Sequence, residues 1–258
     1  MKTALITLSD SGVKVIKEIA AGFTEADLFV HKIAAPDSDG AYRFTSIVEL
    51  TASIFHRYEN IVYAVPCGIV VRAIAPLLKT KHADPAVVVV DAGKRFVVSL
   101  LSGHEGGAND LAFKVGNLIG AEPVITTTTE ATKMLVVGIG CRRGVNAENI
   151  IEAVQRALDM IGATSGEVRL LSSVDIKCDE DGLLQASASL GIPIRFISSG
   201  EIREAKRVFA KSHVALKKVG LPAVAEPAAL LAGKGTKLIL GKTIWKNVTV
   251  AIAKENSL

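Results

Sequence analysis

Short apolar runs rich in Val, Ile, Leu and Ala alternate along this chain with stretches whose apolar residues recur at helical spacing. This alternation limits the fold more than any other feature. A strand covered on both faces reads as a continuous apolar run, and the amphipathic helix that covers it reads with a period of 3.6. In the first half, strands are expected at residues 3–8, 27–32 and 60–65, and helices at 12–21, 46–58 and 68–78. Pro76 should bend or end the last of these helices. Residues 86–91 and 95–101 flank Ala92-Gly93-Lys94 and read as a hairpin. A helix at 107–118 and a strand at 123–127 complete the half. Repeated strand–helix units imply an α/β fold with a mostly parallel sheet flanked by helices.

Four consecutive threonines, Thr126 to Thr129, open a polar stretch, after which strand–helix order restarts. Strands at 134–139, 192–197, 237–240 and 248–253 and helices at 147–161, 181–190 and 226–232 make up this second part. The reading is two consecutive α/β domains, residues 1–131 and 132–258. Composition agrees: 49% of the residues are hydrophobic and only 5% aromatic, the mixture of buried strands under helices. A chain of 258 residues buries roughly 70–75% of its unfolded surface and needs no covalent staples.

Several function classes are disfavoured. Cys67, Cys141 and Cys178 stand far apart, without metal-ligand spacing, and read as reduced thiols. No protein metal site is expected. The N-terminus turns polar too soon for a secretory signal, and no apolar run approaches the ~20 residues of a membrane helix. A cytoplasmic protein without a membrane partner is expected. The net charge of +4 suits an anionic ligand, but no basic block with interleaved aromatics points to nucleic acid.

Three segments have the residues for chemistry. Ser102-Gly103-His104-Glu105-Gly106-Gly107-Ala108-Asn109 follows a strand and opens a helix. Ligands favour the carboxyl ends of strands in open α/β sheets, and a helix N-terminus attracts anions. His104 can move protons near neutral pH. The plainer alternative is a glycine-rich turn with an exposed histidine. In Pro66-Cys67-Gly68-Ile69-Val70-Val71-Arg72, Arg72 can clamp a carboxylate or be an ordinary solvated arginine, and Cys67 reads as a small buried residue. Both segments follow strands and open helices, so they are expected side by side at one sheet edge. Gly138-Ile139-Gly140-Cys141-Arg142-Arg143-Gly144 is one residue too long for a dinucleotide fingerprint, and its two arginines suit carboxylates better.

Taken together these segments resemble the CbiG family of cobalamin biosynthesis. Gly68-Ile69-Val70-Val71-Arg72-Ala73-Ile74-Ala75-Pro76, Asp84-Pro85-Ala86-Val87-Val88-Val89-Val90-Asp91 and Leu101-Ser102-Gly103-His104-Glu105-Gly106-Gly107-Ala108-Asn109 look like its N-terminal domain. Gly138-Ile139-Gly140-Cys141-Arg142-Arg143-Gly144, Ser173-Val174-Asp175-Ile176-Lys177 and Ala225-Glu226-Pro227-Ala228-Ala229-Leu230 look like its C-terminal domain. The resemblance implies a cobalt-precorrin-5A hydrolase, which opens a lactone on the macrocycle and releases acetaldehyde to leave cobalt-precorrin-5B. It implies His104 and Glu105 as catalytic residues. Backbone N–H groups of Gly106 and Gly107 would serve as oxyanion donors. Arg72, Gly103, Gly106, Gly107, Asn109, Arg142, Arg143 and Glu226 would bind substrate. No cofactor is implied, because cobalt arrives inside the substrate. The partner is then a small tetrapyrrole, with a second copy in a homodimer or other pathway enzymes as the macromolecular partners. Family members carry a middle segment of several dozen residues that is essentially absent here, between Thr129 and Met134. That departure leaves room for a non-catalytic tetrapyrrole carrier.

Overall fold

The computed structural model describes residues 2–34, 40–206, 209, 221 and 223–256. The chain divides into two compact units, Met1–Thr127 and Thr128–Leu258. The short helix Thr128–Ala131, within the threonine-rich stretch, thus belongs to the second unit.

The first unit is built on β1 (Thr3–Thr7), β2 (Ala26–His31), β3 (Tyr42–Phe44), β4 (Asn60–Ala64), β5 (Ala86–Val90), β6 (Phe96–Leu101) and β7 (Glu122–Val124). They form one sheet in the order β3-β2-β1-β4-β5-β6-β7. Every pairing is parallel except β5 with β6, which is the expected hairpin. Strand residues alternate between faces. Leu5, Val30, Val62 and Val88 bury one face under α1 (Asp10–Ala20) and α4 (Ala108–Ile119). Ala4, Ile6, Ile61, Tyr63, Val87 and Val89 bury the other under α2 (Ile47–Ile54) and α3 (Cys67–Ile74). Each such large side chain contributes about 1.5–3 kcal/mol by leaving water. Ser9 and Ser46 cap α1 and α2, accepting the N–H groups of Gly12 and Glu49. Pro76 stops α3 at Ile74, and the chain tightens into a 3-10 turn over Ala75–Leu77.

In the second unit, α5 (Thr128–Ala131) is followed by β8 (Leu135–Cys141), α6 (Ala147–Asp159), β9 (Val168–Val174), α7 (Asp181–Leu190), β10 (Ile194–Ile197), α8 (Ser199–Glu204), α9 (Ala225–Leu231), β11 (Lys237–Trp245) and β12 (Val248–Lys254). The sheet order is β10-β9-β8-β12-β11. The β8, β9 and β10 pairings are parallel, and the two closing strands are antiparallel. Leu135, Val137, Ile139, Leu171, Val250 and Ile252 pack with Ile150, Val154 and Leu158 of α6. On the opposite face α9 lies close against β8. A Cβ at Gly138 would fall 2.0 Å from Ala225 O and 2.6 Å from Ala229 N, so only glycine fits.

The sequence reading lacks β9 altogether. Its run Val-Arg-Leu-Leu-Ser-Ser-Val is broken by polar residues, yet Ser172 and Ser173 are fully buried. Ser173 Oγ donates to Ile139 O at 2.8 Å, the local bond that lets a hydroxyl sit inside the sheet. The strand β3 and the helix α8, both short, are also absent from that reading.

Candidate active site

Antiparallel pairing decides where the His104 loop lies. Leu101 of β6 stands beside Val87, and Val87 beside Ile61, near the start of β4. The carboxyl end of β6 therefore leaves the sheet at the edge where β4 and β5 begin. β7 runs parallel to β6 and ends at this same edge, bringing Thr127 there.

The loop between β6 and α4 is tightly wound. Ser102 sits in the left-handed region, φ 58°, rare for a residue with a side chain. It is buried, and its Oγ donates to Asp84 O at 3.1 Å. Ser102 O accepts the N–H groups of Gly106 and Ala108, both at 3.1 Å. A Cβ at Gly106 would come within 2.3 Å of Ser102 Cβ, and Gly107 holds φ 83° just before α4. The glycines thus permit the turn itself, whether or not a ligand approaches. His104 and Glu105 are exposed at its apex. The His104 ring has no hydrogen-bond partner among the described residues. Glu105 pairs with Lys81, and that contact holds its carboxyl below the usual carboxylate range.

Several expected roles change. Asn109 is buried and committed: its Oδ1 accepts from Ser99 Oγ at 2.9 Å, and its Nδ2 donates to Thr127 Oγ1 at 3.1 Å. It ties β6, α4 and the end of β7 together, with no polar atom offered to substrate. The Gly106 N–H is spent on Ser102 O, which leaves Gly107 as the backbone donor of the pair. Gly103 packs against Asn109 and Thr127, where a Cβ would lie 2.8 Å from Thr127 Cγ2.

The Cys67–Arg72 turn does not join this site. It follows β4, whose carboxyl end lies at the opposite edge of the sheet. Arg72 folds back along α3, its Nη1 donating to Gly68 O at 3.0 Å. It is exposed and has no carboxylate partner among the described residues. Cys67 is exposed, not buried. The separation of the two loops follows from β6 running backwards, a direction that the hairpin signal contained.

In the second unit the Gly-rich segment ends β8. Arg143 has its N–H groups committed: its Nη1 donates to both Asp179 carboxylate oxygens at 3.0 Å, and its Nη2 to Ile176 O. The bond from Arg143 holds the Asp179 carboxyl below its ordinary range. A cavity of about 420 Å³ beside them is lined by Asp179, Glu180 and Asp181, a poor electrostatic match for a carboxylate ligand. Lys177 and Glu180 form a buried ion pair, and Glu180 also accepts the Gly144 N–H at 2.7 Å. Burial beside this pair pushes the Cys141 thiol up to about 11. Arg142 remains exposed without a carboxylate partner among the described residues. Glu226 is buried at the start of α9 and accepts the Lys242 N–H at 3.0 Å. It ties α9 to β11 and presents no open carboxylate.

The residues that sequence reasoning missed come from the loop before β5. Asp84 is buried, and its carboxylate accepts the Lys79 N–H at 3.1 Å on each oxygen. Thr80 Oγ1 accepts the Ala83 N–H at 3.2 Å. This ordered loop presents Lys81 to the His104 turn. The one available signal was the hairpin, which places the start of β5 beside the end of β6.

Two family models match the chain. One, described as Cobalamin synthesis G N-terminal, covers residues 49–130. The other, Cobalamin synthesis G C-terminus, covers residues 135–253. The chain is 24% identical to a Cobalt-precorrin-5A hydrolase of Priestia megaterium over 352 aligned positions, which take in 97% of this chain and 94% of that protein. The alignment is longer than the 258 residues of the chain, so the relative carries segments with no counterpart here. A second relative, Protein CobE of a Sinorhizobium species, is 35% identical over 128 residues, 49% of this chain and 83% of that one. Among solved structures, a crystal structure of CobE from the cobalamin pathway matches at 34% identity, covering 48% of this chain and 92% of that chain with a TM-score of 0.45.

Proposed function

The chain belongs to the cobalamin synthesis G family, and from that premise we propose that it is a hydrolase of cobalamin biosynthesis acting on cobalt-precorrin-5A. The observation that carries this reading is the alignment of nearly the whole chain with nearly the whole of a relative bearing that name. The site in the first unit supplies chemistry that suits it.

In the proposed reaction water adds to the lactone carbonyl of the macrocycle, and His104 takes the proton that water gives up. Collapse of the tetrahedral intermediate breaks the ring C–O bond, leaving a carboxylate and a hydroxyl. Loss of the hydroxyl proton then breaks the adjacent C–C bond. Acetaldehyde departs, and the electron pair left on the macrocycle is protonated, giving cobalt-precorrin-5B. An exposed imidazole at a strand end suits these transfers. The Gly107 N–H at the start of α4 is the donor we assign to the oxyanion, an interaction typically worth ~2.7–4 kcal/mol. Cobalt enters as part of the substrate.

The shorter length of this chain favours one other reading, a carrier that holds the macrocycle without turning it over. Incubation with cobalt-precorrin-5A and mass analysis of the macrocycle separates the two. Loss of a two-carbon fragment is the expected result. Stoichiometric binding with an unchanged mass would make the protein a carrier.

A further inference from the structure

We propose that Lys81, delivered by the loop before β5, is the carboxylate-binding residue of the His104 site, and that Glu105 is its positioning residue. The inference rests on the hydrolase reading above. A peripheral carboxylate needs a cation close to the proton-transfer group, and Arg72 is at the far edge of the sheet. Among the described residues, Lys81 is the cation that pairs with the loop, through contact with the residue next to His104.

Two independent ties hold the loops together. One is the Lys81–Glu105 pair, and the other is the bond from the buried Ser102 Oγ to Asp84 O at 3.1 Å. Ser102 adopts its left-handed backbone in making that second tie, and left-handed non-glycine residues cluster at functional sites. The ion pair is a poor stabilising device. Lys81 is 63% exposed at its side chain, and exposed pairs contribute little to stability. It is a good binding device, because it holds a long side chain in place before the substrate arrives. Lysine keeps further N–H donors for a second carboxylate. Glu105, kept ionised by Lys81, is a weak base, which fits a positioning role better than proton transfer.

The test is steady-state kinetics on the full chain with cobalt-precorrin-5A, varying substrate. Lys81→Ala is expected to raise KM about tenfold while kcat falls less than twofold, the signature of a lost ground-state contact. Lys81→Arg should recover most of the loss. Glu105→Gln should raise KM several-fold in the native background and add nothing further to Lys81→Ala, because its effect passes through Lys81. The KM of the unaltered protein should rise with salt more steeply than that of Lys81→Ala. An unchanged KM in Lys81→Ala overturns the proposal, as does a collapse of kcat without a change in KM. If the unaltered protein gives no turnover, the hydrolase reading fails separately. Lys81 is then judged by absorbance titration with the same macrocycle: a weaker Kd in Lys81→Ala supports the proposal, and an equal Kd overturns it.

Discussion

Tyr63 and Cys141 are two titratable groups whose ionisation the fold opposes. Tyr63 is fully buried with its hydroxyl 3.0 Å from Thr51 Oγ1, and burial pushes it from an ordinary 10.0 to about 12. Burial likewise raises Cys141 from 9.0 to about 11. In the window between ordinary and raised values the unfolded chain has released protons that the folded chain keeps. The unfolded state then binds fewer protons, so stability falls as pH rises. The contribution is complete below pH 9 and is lost as pH climbs through 11 and 12, with the Tyr63 share about 2–3 kcal/mol. Urea midpoints at about pH 8 and about pH 10.5 should differ accordingly, with Tyr63→Phe showing a smaller drop. A midpoint that stays level over that range would contradict the burial of these groups. Thiol labelling of the folded chain should modify Cys67 and Cys178 well ahead of Cys141. At this scale residue identity was legible but commitment was not. Asn109, Glu226 and Arg143 have the chemistry of ligand-binding residues. Only the positions of Ser99, Thr127, Lys242 and Asp179 reveal that their polar atoms are already used.

One reversed element decides which loops share a sheet edge in the first unit. The Ala92-Gly93-Lys94 turn was readable, and Asp91 fixes it by accepting the N–H groups of Gly93, Arg95 and Phe96. Its consequence was not drawn from the sequence: a strand that runs backwards delivers its loop to the other edge. β9 escaped for a different physical reason. Periodicity detects apolar residues, whereas Ser173 satisfies its hydroxyl inside the sheet and Gly138 opposite Ser172 leaves room for α9. This close approach is testable. Gly138→Ala puts a methyl into the backbone of α9, and overpacking of that kind costs about 1–3 kcal/mol or more. Circular dichroism melts should show a clearly lowered transition for Gly138→Ala. An unchanged melt would mean that α9 does not press on β8 as described.

At the scale of the whole molecule, two α/β units follow one another, each with its own sheet and core. Their order was legible because buried strands and amphipathic helices alternate with little polar interruption, and because the threonine stretch breaks the pattern. The family was legible in motifs from both halves. The chain carries the loop with His104 and lacks segments present in a longer relative, so catalysis by this shorter form calls for a direct test. Acetaldehyde release from cobalt-precorrin-5A, trapped and quantified at saturating substrate, provides it when the unaltered chain and His104→Ala are run side by side. The account predicts repeated turnovers by the unaltered chain, and a rate ~10²–10⁴-fold lower for a His104→Ala protein with the same melting transition. Equal rates from the two proteins, or no acetaldehyde from either, would contradict it.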